Sequence, residues 1–132
     1  MVGFAGETQE DFLSSVAFAE EIGFEKVHVF PYSIRKGTNA EKLTGHIDKA
    51  VKEERSRIMI ERTEKIRREF LKKQVGKTVE VLFETADSNG FINGYTTNYT
   101  PVKAKLSESL CGKLIKIKIT DAEGDFCIGE PI

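Results

Sequence analysis

The spacing of apolar and polar positions divides the chain into three stretches. In the first, Phe12, Val16, Phe18 and Ile22 recur at mostly helical spacing. Thr8 precedes them as an N-cap with Asp11 in the acidic slot of a capping box, and Gly23 supplies a stop. Met1–Glu7 reads as a strand entering this helix, and Lys26–Tyr32 (KVHVFPY) as a second strand, parallel and buried. In the second stretch, from His46 or Asp48 to Gln74, there is no proline or glycine. Val51, Ile58, Met59, Ile66 and Phe70 fall roughly on one face there, which predicts a long helix. Its charged face offers i,i+4 pairs such as Glu61–Lys65 and Glu64–Arg68. Beyond Gly76 the period falls to two. Val79, Val81 and Phe83 alternate within Thr78–Glu84, and Ile115, Ile117 and Ile119 within Lys113–Thr120. Gly90–Thr96, Tyr99–Lys105 and Asp125–Gly129 complete five predicted strands, with turns at Asp87–Gly90 and Asp121–Gly124.

The fold class is therefore α+β, in three parts: 1–45, 46–74 and 75–132. The first is a strand–helix–strand unit of a parallel α/β sheet or barrel, the second a linker helix. The third is a small five-stranded antiparallel β-barrel resembling the OB-fold. A single strand–helix–strand unit cannot close a sheet or bury both its faces. Its strand edges predict pairing with another copy, as a homodimer or domain swap.

Charge alters this picture only in its distribution. The 132 residues carry a net charge of −1, with 39% hydrophobic and 31% charged residues, values of an ordinary globular chain. Residues 41–74 hold eleven cations against seven anions, whereas 75–132 hold six against eight. The helix is thus the basic element. Its arginines and lysines read as a solvated face, except Lys72 and Lys73, which adjoin the β-domain. No apolar run is long enough to span a membrane and no signal peptide is evident. Cys111 and Cys127, sixteen residues apart, match neither a CxxC pair nor a metal-ligand spacing and read as buried thiols of a cytoplasmic protein.

Chemistry concentrates in two places. In parallel α/β folds it sits at the carboxyl ends of the strands, here Gly3–Glu7 and Phe30–Ser33 with Arg35 beyond. His28, in the middle of the second predicted strand, is either a packed core histidine or a ligand or base; His46 reads as a surface residue. The other place is Phe91–Lys105 (FINGYTTNYTPVKAK), which combines three aromatics, two asparagines, threonines and two lysines. Rings to stack on, amides to read edges and cations for phosphates are what a β-surface needs to hold RNA. Alternation puts Phe91 and Tyr95 on one face, Ile92 and Gly94 on the other. Tyr95, Asn98 and Tyr99 are the candidate RNA-facing residues, with Lys103, Lys105, Lys116 and Lys118 as phosphate contacts. Tyr99 as core filler and Lys116 and Lys118 as a merely solvated face fit the pattern equally well.

Gly3-Phe4-Ala5-Gly6-Glu7-Thr8, followed about twenty residues later by HVFPYSIRKGT from His28 to Thr38, resembles the closing strands of a radical S-adenosylmethionine barrel. The resemblance is to the methylthiotransferases that modify tRNA, in which a linker helix and a TRAM RNA-binding barrel follow. The HVFPYS string and GYTTNYTPV favour the subgroup acting on threonylcarbamoyladenosine beside the anticodon. Carried over, Gly3, Phe4, Gly6 and Glu7 would line the S-adenosylmethionine pocket. Phe30, Tyr32, Ser33 and Arg35 would stand at its rim. Ala5 replaces the usual proline, and Lys36 and Asn39 stand where prolines often flank the glycine–threonine pair, which should loosen that loop. The resemblance also implies two 4Fe–4S clusters, each on three cysteines, and this chain has neither set. It is thus expected to be the C-terminal part of a longer enzyme, inactive alone, with tRNA and the preceding domains as partners. The alternative is a stand-alone RNA-binding module.

Overall fold

A computed structural model describes residues 1–132. The chain forms two compact units, Met1–Ile66 and Arg67–Ile132. No helix is long and apolar enough to cross a membrane.

In the first unit, helix α1 (Gln9–Ile22) opens on the expected capping box. Thr8 Oγ1 accepts the Asp11 N–H at 3.1 Å and the Asp11 carboxylate accepts the Thr8 N–H at 2.9 Å. Gly23 closes the helix in the left-handed region, φ 69°. The buried face is Phe12, Val16 and Ala19, whereas Phe18 and Ile22 are exposed. At 3.6 residues per turn Phe18 lies roughly 240° round from Phe12, so it leaves the stripe.

The second predicted strand does not form. Lys26–Phe30 is irregular, and one parallel bridge joins Val2 to Pro31. It is held by Val2 N–H to Phe30 O at 3.1 Å and Tyr32 N–H to Val2 O at 2.7 Å. A parallel ladder of two segments without further neighbours is too weak to propagate. The strand direction was legible, the strand was not. His28 is exposed, so neither the packed nor the interior-ligand reading holds.

Helix α2 (Lys49–Lys72) starts later than expected. Its buried positions in this unit are Arg55, Ser56, Met59, Thr63 and Ile66, while Val51 faces solvent. The buried stripe is thus partly polar, which an apolar count could not find. The ion pairs within the helix are Lys49–Glu53, Arg57–Glu54 and Arg57–Glu61, in place of the expected Glu61–Lys65 and Glu64–Arg68.

The second unit is a closed barrel of β1 (Thr78–Ala86), β2 (Ile92–Thr96), β3 (Pro101–Ala104), β4 (Leu114–Glu123) and β5 (Phe126–Pro131). The order around it is β1-β2-β3-β5-β4. Four seams are antiparallel, but β3 and β5 pair in parallel, Val102 with Cys127 and Lys103 with Ile128, so the barrel is not wholly antiparallel. The interior is Val81, Phe83, Ile92, Val102, Ala104, Ile117, Ile119 and Cys127, joined by Leu71 from the end of α2. Irregularities between Phe83 and Thr85 and between Ile119 and Asp121 bend the two longest strands round this core. Two inward glycines permit the closure. A Cβ on Gly94 would strike the Leu82 carbonyl, and one on Gly129 would strike the Ile117 side chain.

Candidate functional site

The strand-end loops of the first unit divide the eight residues expected around a cofactor. Glu7 faces inward: its carboxylate accepts the Gly3 N–H at 2.9 Å and the Arg55 guanidinium at 2.6 Å. Arg55 also donates to the Glu7 carbonyl at 3.1 Å and lies over the Phe12 ring. Arg55 is buried and Glu7 half-buried, with side chains 7% and 16% exposed. At Gly3 the stem of Lys52 occupies the space a Cβ would take, on its way to the Tyr32 carbonyl at 3.0 Å. Gly6 donates its N–H to Gly45 O at 2.8 Å. Gly3, Gly6 and Glu7 therefore seat the start of α2 and the loop before it. The sequence offered no local sign of Lys52 and Arg55, the partners in this arrangement.

Phe30, Tyr32, Ser33 and Arg35 do come together. With Met1 and Thr38 they line an open cleft of about 270 Å³. Phe4 meets the Tyr32 ring edge-on at 4.9 Å, and His46, at the surface as expected, lies parallel to that ring at 6.4 Å. The Tyr32 hydroxyl is buried without a hydrogen-bond partner. The donors here suit a carboxylate and the rings suit a flat heterocycle. Nothing here suits an iron–sulfur cluster: Cys111 and Cys127 are on the barrel unit, and no group of three His, Cys, Asp or Glu residues is arranged to hold a metal ion. Cys111 is only half-buried, whereas Cys127 is fully buried and burial pushes its thiol up to about 11.

On the barrel, alternation places Ile92, Gly94 and Thr96 inside and Tyr95 outside, 47% exposed. Tyr99 is displayed further, 77% exposed, so it is not core filler. Its φ of 61° makes it the only non-glycine residue in the left-handed region. A clamp holds it there. The Asn98 side-chain oxygen accepts both the Thr96 and Thr100 hydroxyls, and Thr100 N–H donates to Thr96 Oγ1 at 3.0 Å. Asn98 thus spends its oxygen on the loop. The Tyr95 and Tyr99 rings stand 6.5 Å apart. Tyr95 also belongs to an outward row, Leu114 opposite Leu82, Leu82 opposite Tyr95, Tyr95 opposite Pro101, that crosses four strands. Leu82 and Leu114 escaped the sequence reading, although each occupies an outward position in an alternating strand.

The expected cations are less alike than their sequence suggests. Lys103 sits 4.3 Å from the centre of the Phe126 ring and 4.0 Å from Asp87. The Asp87 carboxyl is held below its usual range chiefly by the Phe91 N–H, with help from the Asn89 N–H and Lys103. Lys116 lies opposite Glu80, and Lys118 opposite both Thr78 and Glu130, so each of these two has a carboxylate on a neighbouring strand. Lys72, Lys73 and Lys105 are exposed.

Residues 72–132 match the TRAM domain family. Along its length the chain is 37% identical to "Threonylcarbamoyladenosine tRNA methylthiotransferase MtaB" of Bacillus subtilis, covering 96% of this chain and 30% of that protein. It is 37% identical to a "tRNA-2-methylthio-N(6)-dimethylallyladenosine synthase" of Aliarcobacter butzleri, covering 100% and 30%. To the protein of that name in Thermoanaerobacter sp. it is 41% identical, covering 98% and 28%. The chain thus spans less than a third of the length of these relatives. Residues 72–132 are a TRAM domain, and the chain as a whole is homologous to part of the tRNA methylthiotransferases.

Proposed function

We propose that this chain is the tRNA-docking portion of a radical S-adenosylmethionine methylthiotransferase that adds a methylthio group to the modified adenosine beside the anticodon. Tyr99 carries this reading. A bulky residue held at positive φ, solvent-facing and clamped from both sides, costs folding free energy and returns no packing. A ring displayed at such a cost, beside a second ring, serves a partner with flat faces, and unstacked bases of an RNA loop are that partner. Lys72, Lys73 and Lys105 are the freest cations for its phosphates, Lys103 a positioned one, and Lys116 and Lys118 weaker ones because of the carboxylates opposite. The threonylcarbamoyladenosine substrate is supported by the HVFPYS and GYTTNYTPV strings.

Within the parent enzyme, Phe30, Tyr32, Ser33 and Arg35 would meet S-adenosylmethionine, with Phe4 supporting Tyr32. When bound to a cluster, that cofactor supplies the radical that abstracts hydrogen from the adenine ring carbon. The two 4Fe–4S clusters do not fit residues of this chain and belong to the preceding domains. Phe18, Ile22 and Phe24 leave an apolar face that calls for cover, by those domains or by a second copy of this chain. Sedimentation of the isolated chain is expected to give a dimer; a monomer at all concentrations excludes the second copy.

Titration with an anticodon stem-loop tests the docking role. Stacking is worth about 1–3 kcal/mol per base, so replacing Tyr95 and Tyr99 together by alanine should weaken binding tenfold or more. Absence of saturable binding to the unaltered chain at low salt would overturn the reading.

A further inference from the structure

We infer that a cleft at the α2 end of the barrel is a phosphodiester subsite, with Lys77 as its cation; this rests on the RNA-docking reading above. The cleft, about 280 Å³, is lined by Lys77, Thr97, Asn98 and Gln74 around an apolar floor of Val79 and Ile119. Every lining residue belongs to the barrel unit. No carboxylate lines it, although residues 75–132 carry eight anions and six cations. In a domain of net negative charge, a concavity without acids is where an anion meets least repulsion.

Two of the donors, on Lys77 and Asn98, are held by contacts within the barrel unit. Lys77 is anchored through its backbone, N–H to Gln74 O at 3.0 Å and carbonyl accepting the Ile119 N–H at 2.9 Å. Its ammonium donates one hydrogen to Gln74 Oε1 at 3.1 Å, which leaves two for a ligand. Gln74 is buried and itself tied to Phe70 O at 3.1 Å, so the ammonium is held by a residue that cannot swing away. The side-chain nitrogen of Asn98 and the Thr97 hydroxyl make no hydrogen bond within the protein, in contrast to the Asn98 oxygen, which the clamp consumes. The cleft therefore presents free donors to an incoming group. An acceptor-only anion satisfies them, and the apolar floor suits a sugar. The volume falls below that of pockets enclosing whole drug-sized ligands, and fits one phosphate with its ribose. Because Asn98 immediately precedes Tyr99, the strand whose base stacks on that ring passes the cleft mouth. Lys77, which lines the cleft together with Asn98, is then a cation within that strand's path.

The test is the salt dependence of stem-loop binding by the full chain. Each phosphate contact contributes roughly 0.7 to 0.9 to the slope of log affinity against log salt. Lys77→Gln should lower that slope by about this amount and weaken binding several-fold at low salt. Lys77→Arg should keep the slope. Thr97→Val, which alters no charge and leaves the Gln74 contact intact, should weaken binding modestly at unchanged slope, and it serves if Lys77→Gln melts early. Should Lys77→Gln and Thr97→Val both bind as the unaltered chain does while the Tyr95/Tyr99 double variant loses affinity, the subsite is wrong and the docking face stands. Failure of the unaltered chain to bind the stem-loop would overturn both.

Discussion

Two residues show how far a side chain's role depends on neighbours remote in sequence. Glu7 follows two glycines at a strand end and reads as a pocket carboxylate, yet its partner Arg55 lies forty-eight residues on. Nothing local records that pairing. Removing one partner of a buried ion pair strands the other charge, at a cost of about 3–5 kcal/mol. Arg55→Ala should therefore lower the urea midpoint of residues 1–66 markedly, whereas a cofactor ligand that made no internal contact would leave it unchanged. Tyr99 is the converse case. Alternation could not decide between core and display, because the Asn98 clamp turns the backbone out of the strand pattern altogether. Glycine adopts that backbone freely, so Tyr99→Gly should stabilise the barrel by about 1 kcal/mol while weakening stem-loop binding. A variant that lost stability would mean that the ring packs in a way its exposure does not reveal.

Elements were legible where their determinants are local. The start of α1 followed from Thr8 and Asp11, and the five barrel strands from period-two alternation with an Asn-Gly turn, although Asp121–Glu123, expected in a turn, extend β4 and pair with β5. KVHVFPY failed for a non-local reason: a β-branched string becomes a strand only with a ladder to join, and here one bridge is offered. The parallel β3–β5 seam was hidden likewise, since pairing between segments twenty-odd residues apart leaves no periodic trace. Gly94 shows what register demands of an element. Alanine at an ordinary strand position is harmless, but here its methyl group would meet the Leu82 carbonyl. Gly94→Ala should unfold the barrel or cost several kcal/mol, as judged by thermal melting. The β1–β2 turn carries a pH dependence. The Asp87 carboxylate accepts the Asn89 and Phe91 N–H groups at 2.9 and 3.1 Å and titrates below its usual 3.8. Its folded-state value is depressed, so the stability it adds is present above that usual value and lost as pH falls through the lower one. The two amide resonances should move together in that acid window, and Asp87→Ala should abolish the movement.

At the scale of the molecule, the two compact units divide between Ile66 and Arg67, inside α2, whereas the change of period near Gly76 marks only where the strands begin. The way each unit satisfies its edges was not legible in the sequence. Closure of the barrel has a kinetic consequence. Cys127 lies on the β3–β5 seam, fully buried, its thiol against the Leu71 carbonyl at 3.7 Å. Burial raises its folded-state value from about 9.0 to about 11, so the stability it contributes holds below pH 9 and erodes between those two limits. In neutral buffer the thiol is protonated and sealed, while Cys111 is part-exposed. An alkylating reagent should therefore modify Cys111 promptly and Cys127 only when the seam parts. The chain contains its own stopwatch: the ratio of the two rates reads out how often the barrel opens, without any added label.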